Sequence, residues 1–389
     1  MGVEREANID VLIQGAGIGG LTLAIALMQK GYTVRIVERA SGLSEIGAGI
    51  WMAANPMQVF DRLGFAEKIM AAGWTVQRVT LQDYNGDILQ ASDLSAISKL
   101  FGFETVALHR SVLQRVLSEQ LPSDVVTFGT ETKDLHQSTD AVSVLLTDGS
   151  RIHAKLVVGA DGIRSEIRKL TSLGGETRYS GSSSYRAITN CANLLSPELN
   201  HHAYEIWGKG CRLGFSKINA HDYYWYMTFE SDPDRSFSPL ARRAHAQSLF
   251  GKFFPKWTSL LKNTQSDEIL QTDISDLKRL ERWSSDRIGL IGDAAHATTP
   301  NLGQGGAMAV EDAYSLTDAV QEAGLNGKAF ELYEKHRREK VDWTVSTSWN
   351  IGRICHWKNP MLRSVRNLAL KKMPNSVGEK QIRKLYSIG

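Results

Sequence analysis

Cysteine is scarce. Three residues (Cys191, Cys211, Cys355) are spread over 389, and no two stand in a Cys-x-x-Cys spacing. So sparse and odd a set excludes a disulfide scaffold and fits a reducing, cytoplasmic setting. There is no His-Glu-x-x-His, and the one adjacent pair, His201-His202, would point to opposite sides of a strand. No metal site is expected. No uninterrupted apolar run is long enough to span a bilayer. Ile9 to Met28 comes nearest, but Asp10, Gln14 and four glycines break it, and neither a basic start nor a cleavage site frames it. Position 6 lacks the Ser/Thr that myristoylation of Gly2 requires. A strong net charge is also missing. At +3 the chain carries no nucleic-acid signal, although Arg353 to Gly389 holds nine Lys/Arg against one Glu.

What is present is an ordinary globular composition, 42% hydrophobic and 22% charged. At this length it implies two or three domains, or one domain with an insertion. "IDVLIQGAGIGGLTLAIALMQKGYTVRIVERA" opens with a short apolar run typical of a buried parallel strand. Gly15-x-Gly17-x-x-Gly20 follows, then a helix of small apolar residues ending at Gly31, then a second apolar run ending at Glu38 and Arg39. Gly15 permits the tight turn, Gly17 lets backbone approach a pyrophosphate, and Gly20 lets helix and strand pack closely. The helix N-terminus offers free N–H groups to phosphates. Glu38, 18 residues after Gly20, can accept both ribose hydroxyls of an adenosine and disfavours a 2′-phosphate. NAD and FAD remain open at this point.

"LVVGADGIRSEIRK" is again strand, turn and helix, with Gly159 and Asp161-Gly162 at the turn. A hairpin with Asp148-Gly149 at its tip leads into it. The third motif, "IGLIGDAAHATTPNLGQGGAMAVEDAYSL", runs from an apolar strand through Gly292-Asp293, Pro300, Gly303, Gly305 and Gly306 into an evident helix.

Gly15-Ala16-Gly17-Ile18-Gly19-Gly20, Gly159-Ala160-Asp161-Gly162 and Gly292-Asp293-Ala294-Ala295-His296, in this order, resemble the single-component FAD-dependent aromatic hydroxylases, the para-hydroxybenzoate hydroxylase-like flavoprotein monooxygenases. The resemblance spans residues 9 to 345. Within that family the chain looks most like the 2-alkyl-4-quinolone 3-hydroxylase branch, on "EIWGKGCRLGF", "GADGIRS" and the C-terminal tail.

The resemblance implies FAD as cofactor and NADH or NADPH as co-substrate. Nicotinamide would bind in a groove, because no second strand-linked Gly-x-Gly-x-x-Gly exists. It implies that Glu38 binds the adenosine ribose, and that Arg110 reaches the phosphate and ribityl region. Asp161 would support both FAD and nicotinamide binding, and Asp293 would hold a ribityl hydroxyl. His296 would pack near the ribityl chain rather than act as a base. The loop Pro300 to Gly306 would lie along the flavin ring, with Gly305-Gly306 opening a helix whose N-terminus stabilises the anionic reduced ring by about 0.3–2 kcal/mol. The implied cycle adds oxygen to the reduced flavin, forms a C4a-hydroperoxide and delivers its distal oxygen to an electron-rich ring carbon. The protein supplies positioning and exclusion of water. Polyene epoxidases and antibiotic-inactivating oxygenases share all three motifs and remain alternatives, as does a non-catalytic flavin-binding module. Flavin halogenases are set aside, because no Trp-x-Trp-x-Ile-Pro is present.

Tyr179 to about Gln271 alternates apolar and polar residues and is rich in aromatics, which signals antiparallel strands. The expected fold is α/β. A Rossmann-like FAD-binding domain (1–75, 103–178 and 272–345), mainly a parallel sheet, carries an inserted antiparallel-sheet substrate domain (76–102 and 179–271). A helical segment (346–389) closes the chain. Tyr185, Trp207, Phe215, Tyr224 and Tyr226 are candidates for the pocket wall, and Arg186 for binding a substrate anion. Phe101 to Phe103 and the stretch Glu45 to Met57 are expected to contribute, with Gly47 and Gly49 passing close to the flavin. In the last segment Met361, Leu362, Val365, Leu368 and Ala369 recur at helical spacing, with Arg363, Arg366 and Lys371 away from them. The expected helix packs its apolar side on the body and shows its basic side to water, or to an anionic membrane surface in weak contact. The expected partners are a small aromatic substrate and O2, and the protein is expected to be a monomer or homodimer.

Overall fold

The computed structural model describes residues 6–43, 48–191 and 196–388. Glu45 and Gly47 lie outside the described residues. Three sheets organise the chain. The largest has eight strands. Along its main path lie Ser284–Ser285, Ile288–Leu290, Arg151–Gly159, Glu6–Gln14, Val34–Glu38 and Val126–Phe128. All neighbours on this path are parallel except the first pair. Their runs of Val, Leu and Ile are buried, as strands covered on both faces require. The first half of Arg151–Gly159 pairs antiparallel with Val142–Leu146, its hairpin partner, and the second half pairs parallel with Ile288–Leu290. One strand thereby joins the second and third glycine motifs.

The helix Ile18–Gln29 is buried along most of its length, which suits its Ala, Leu and Ile composition. The helices Gly305–Ala323 and Gly327–Cys355 pack together, the first also against Ile18–Gln29. Gly289 lies under Phe330 of the long helix, where a Cβ would come within 2.2 Å of the ring.

A seven-stranded sheet runs Leu270–Leu277, Thr177–Asn190, Asp222–Glu230, Cys211–Lys217, His202–Trp207, Arg78–Asp83, Ile88–Asp93. Only His202–Trp207 with Arg78–Asp83 is parallel. Residues distant in sequence thus share one sheet. The helices Pro239–Phe253 and Thr258–Lys262, which alternation alone does not reveal, cover one face and form a second core with Phe250, Phe254 and Leu260. A small antiparallel sheet of Gly49–Met52, Thr105–His109 and Trp74–Val76 stands between the two large ones.

The C-terminal helix Pro360–Lys371 corrects the sequence expectation. Its orientation is reversed. Arg363 and Arg366 are buried (8% and 4% exposed), while Met361, Val365 and Leu368 face outward at 74%, 57% and 53%. Arg366 donates to the carbonyls of Ile354 and Cys355 at 3.1 and 3.2 Å, capping the long helix, and its guanidinium stacks on Trp207. Arg363 stacks on Tyr84. The terminal carbonyls of the long helix need donors, and an arginine meets that need where an apolar side chain cannot.

Candidate active site at the ends of the parallel strands

The three motifs, far apart in sequence, meet at the carboxyl ends of the parallel strands. Gly15 donates to the Val37 carbonyl at 2.8 Å, Ala160 to Gln14 at 2.8 Å, and Ile291 to Gly159 at 3.0 Å. The glycines divide into two kinds. A Cβ on Gly15 would lie 2.6 Å from the Ala160 carbonyl oxygen, and one on Gly20 would lie 2.0 Å from that of Gly15. These two close the turn and seat the helix on the strand. At Gly17 and Gly305, by contrast, a Cβ would meet nothing closer than 3.8 Å, and at Gly303 nothing at all. Their bare backbone faces open space, as a ligand's approach requires.

Glu38 ends its strand beside this turn and accepts from the Ala16 and Ala40 backbone N–H groups at 2.8 and 2.9 Å. Arg39 is exposed. Asp161 caps the helix Glu166–Leu170, its Oδ2 accepting from the Glu166 and Ile167 N–H groups at 2.7 and 3.2 Å. Its other oxygen is buried and without a partner, and burial raises the carboxyl above its ordinary pKa. Arg168, on the helix that follows the turn, is buried. It donates to the Ala294 carbonyl at 2.7 Å and to that of Ile163 at 2.6 Å, tying the second motif to the third.

Gly292 has φ +56° and precedes Asp293 at the start of the short helix Asp293–His296. Solvent reaches Asp293. The protein packed around its carboxyl nevertheless raises its pKa, and His296 and Arg110 oppose that rise. Arg110 is exposed at the start of the helix Arg110–Ser118, its N–H held by the Ala48 carbonyl at 3.1 Å. Pro300 opens a tight turn, Gly303 ends it in the left-handed region, and Gly305 and Gly306 are the first residues of Gly305–Ala323. That helix start has no acidic residue and no side-chain cap, so its N–H groups are free to receive an anion.

His296 is turned inward. Its Nε2 pairs with Asp312 Oδ2 at 2.6 Å, and its ring packs on Trp283. Asp312 also accepts from the Gly292 N–H at 2.9 Å and from Arg337 at 2.9 Å. Although burial acts to raise its pKa, His296 and Arg337 hold the Asp312 carboxyl well below the carboxylate range. Glu311 beside it pairs with Arg337 and Lys340 and accepts from Asn55. Sequence reading missed this network. Its signal was two adjacent acids, Glu311 and Asp312, on an otherwise apolar helix.

The five aromatic candidates do not form one wall. Strand alternation puts Tyr185 and Phe215 on the helix-covered face, fully buried among Phe229, His245 and Trp257. They belong to the core, because side chains of opposite parity leave a strand on opposite sides. Trp207 is buried with Leu89, Cys355 and Arg366, at the C-terminal helix. Tyr224 and Tyr226 share the other face, 6.0 Å apart, with Arg186 paired beside Tyr226. Gly49 packs against the Tyr224 ring, where a Cβ would approach within 2.3 Å. A Cβ on Gly214 would likewise meet Tyr226 at 2.3 Å. Phe101 packs edge-on against Tyr386, and Phe103 joins the large core.

Tyr226 donates to Glu205 Oε2. Glu205 Oε1 accepts from Trp207 at 2.6 Å and from Arg212 at 3.1 Å. Arg212, buried, reaches Thr228 at 3.2 Å and Asn301 of the loop after Pro300. Asn301 in turn donates to the Ser348 carbonyl at 2.8 Å, and His356 pairs with Thr228 at 2.8 Å. Burial acts to raise Glu205, but Arg212 and the Tyr226 hydroxyl bring it below its ordinary pKa. Burial and the adjacent carboxylate push Tyr226 well above 10, so it remains a donor. His356 is pushed down to about 4, by burial and by Arg212, and stays neutral at pH 7.

A family model described as an FAD binding domain matches residues 8–346. The chain belongs to this family. Aurachin C monooxygenase/isomerase of Stigmatella aurantiaca is 34% identical over 95% of each chain. The 2-heptyl-3-hydroxy-4(1H)-quinolone synthase of Pseudomonas aeruginosa (strain UCBPP-PA14) is 32% identical over 97% of this chain and 98% of its own. The crystal structure of Klebsiella pneumoniae HpxO complexed with FAD and uric acid superimposes with a TM-score of 0.87 at 24% identity, covering 97% and 96% of the two chains, and shares the fold. The protein is thus an enzyme of the FAD-dependent aromatic hydroxylase and monooxygenase family. The open backbone at Gly17, Gly303 and Gly305, with the uncapped helix start beside Asp293, fits such a cofactor.

Proposed function

We propose that the protein is an NAD(P)H-dependent hydroxylase of an electron-rich heteroaromatic small molecule of the 2-alkyl-4-quinolone type. The observation that carries this reading is the face bearing Tyr224, Tyr226 and Arg186, which lies against Gly49 and is tied through Arg212 and Asn301 to the loop Pro300–Gly306. The likeness to 2-heptyl-3-hydroxy-4(1H)-quinolone synthase over nearly the whole chain supports the substrate class.

In this reading the turn closed by Gly15 and Gly20 presents the open backbone at Gly17 and the helix start to the pyrophosphate, Glu38 holds the adenosine ribose, and Asp293 a ribityl hydroxyl, with Arg39, Arg110 and Asp161 around them. Bound FAD, once reduced by NADH or NADPH, supplies the oxygen-activating chemistry. The helix start at Gly305-Gly306 offers positive potential to the anionic ring, worth about 0.3–2 kcal/mol. Residues 76–102 and 179–271 form the substrate body. Tyr224 is pushed up to about 12 by burial. Tyr224 therefore presents a protonated hydroxyl, which can donate to a substrate oxygen, while the Tyr226 proton is committed to Glu205 and leaves that hydroxyl as an acceptor. The Tyr224 ring packed on Gly49 leaves no room for water between them, and exclusion of water beside the ring favours oxygen transfer over waste of the reducing equivalent.

The test is cofactor bleaching under anaerobic conditions by NADH and by NADPH, with and without 4-quinolones, phenols and hydroxypyridines. Acceleration by 2-alkyl-4-quinolones, with a hydroxylated product once air is admitted, supports the reading. Acceleration by another class alone replaces the substrate. A protein that binds FAD but is never reduced by either nucleotide refutes it.

A further inference from the structure

The helix Pro360–Lys371 has its amphipathic sides exchanged relative to a helix that merely covers a core. Arg366 is held inward by the Ile354 and Cys355 carbonyls and by the Trp207 ring, and Arg363 by the Tyr84 ring. Asn367 reaches toward Asp83 on the same inner side. With the inner side committed to these polar contacts, Met361, Leu362, Val365 and Leu368 must face out, and all four are exposed. The end of the helix is tied to the sheet edge. Ile88 is exposed, and its neighbour Asp87 pairs with Lys371 at 3.1 Å. Among the described residues no partner covers this strip.

We infer that this outward strip is the surface by which the protein lies on an anionic lipid bilayer. Charge selects the occupant. Lys372 at the end of this helix and Lys380 and Arg383 on the following one, Asn375–Tyr386, are exposed, while Lys384 pairs with Glu339. A second copy docked here about a two-fold axis would set this cationic rim against itself. Anionic headgroups meet it with opposite charge, while Met, Leu and Val enter the acyl boundary and the lysine stems reach up to the headgroups. The contact is peripheral, since no helix among the described residues is long and apolar enough to cross a membrane. The strip lies behind the Glu205–Arg212 network, through Cys355 and His356, so lipid contact leaves the tyrosine face free. This inference does not depend on the quinolone reading.

The full chain, loaded with FAD, is floated with vesicles of phosphatidylcholine alone and with vesicles containing equal parts of phosphatidylglycerol. The expected result is flotation with the anionic vesicles, weakened by salt, and little with the zwitterionic ones. The double variant Val365→Gln, Leu368→Gln should lower partition about tenfold or more, with unchanged melting and FAD content. Lys372→Glu should lower it less. Absence of flotation for the wild type overturns the inference, as does a double variant that floats like the wild type. A double variant that instead dissociates a dimer in sedimentation, with lipid binding untouched, assigns the strip to a second copy and overturns it equally.

Discussion

Two buried ionic networks flank the loop Pro300–Gly306, and they do different things. The first joins His296, Glu311, Asp312, Arg337 and Lys340. It lies mainly between the helices Gly305–Ala323 and Gly327–Cys355, and nearly every charge in it meets an opposite charge on the adjoining helix. The second joins Glu205, Arg212, Tyr226 and Asn301. It connects a strand pair, the loop and the last turns of the long helix, and it ends at a tyrosine on the open face of the seven-stranded sheet. The same chemistry clamps the scaffold in one place and sets the distance between sheet and loop in the other. A buried ion pair is weak evidence of net stability, but removal of one partner leaves an uncompensated charge. Breaking either network is therefore informative.

The largest effect is expected at Arg337→Met, which strands Glu311 and Asp312. Denaturant unfolding should show a loss of about 3–5 kcal/mol. A loss below about 1 kcal/mol, the scale of a surface pair, would remove the scaffold role. The same network predicts acid sensitivity. Asp312 is depressed in the folded state, so its contribution is present above its unfolded pKa of about 3.9 and fades as pH falls below that toward the folded value. The fall in stability below about pH 4 should be shallower in Asp312→Asn, itself a less stable protein at pH 7.

Arg212→Gln should cost less stability, about 1–3 kcal/mol, yet lower the yield of hydroxylated product per NAD(P)H oxidised far more than that loss explains. Asn301→Ala should do the same, and the double variant should be no worse than either alone. Additive effects would separate the loop from the sheet and undo the comparison. Tyr226→Phe removes one donor to Glu205 and should cost about 1–2 kcal/mol, with a raised KM as the clearer readout. The smallest change in fold is expected at Asp293→Ala, which should melt like the wild type while releasing FAD severalfold faster. Normal retention would show that the carboxylate does not anchor the cofactor.

Much of the cofactor half was legible in the sequence because its information is local. Gly15 and Gly20 are required by contacts to backbone a few residues away or to the adjacent strand, and a Cβ there collides at 2.6 and 2.0 Å. The parallel strands announce themselves as short apolar runs. The seven-stranded sheet was legible as antiparallel strands but not as faces. One change of parity sends Tyr185 into the core and leaves Tyr224 beside Gly49, and nothing in a single strand says which side the covering helices take. The C-terminal helix shows the same gap. Its amphipathic period was plain, but its rotation was not, because Arg366 answers to the free carbonyls of a different helix.

The sequence alone determined a dinucleotide-binding α/β chain, since turns, glycine geometry and hydrophobic period are written in short windows, and the order of its three motifs resembled a flavoprotein family and so pointed to FAD. Tertiary structure alone decided that Arg168 links two motifs, that His296 belongs to Asp312, that Arg212 meets Asn301 across 89 residues, and that an apolar strip faces outward. These are pairings of polar groups withdrawn from water. Each side chain needs a partner, and which partner it finds is set by the packing of the whole molecule rather than by its neighbours in the chain.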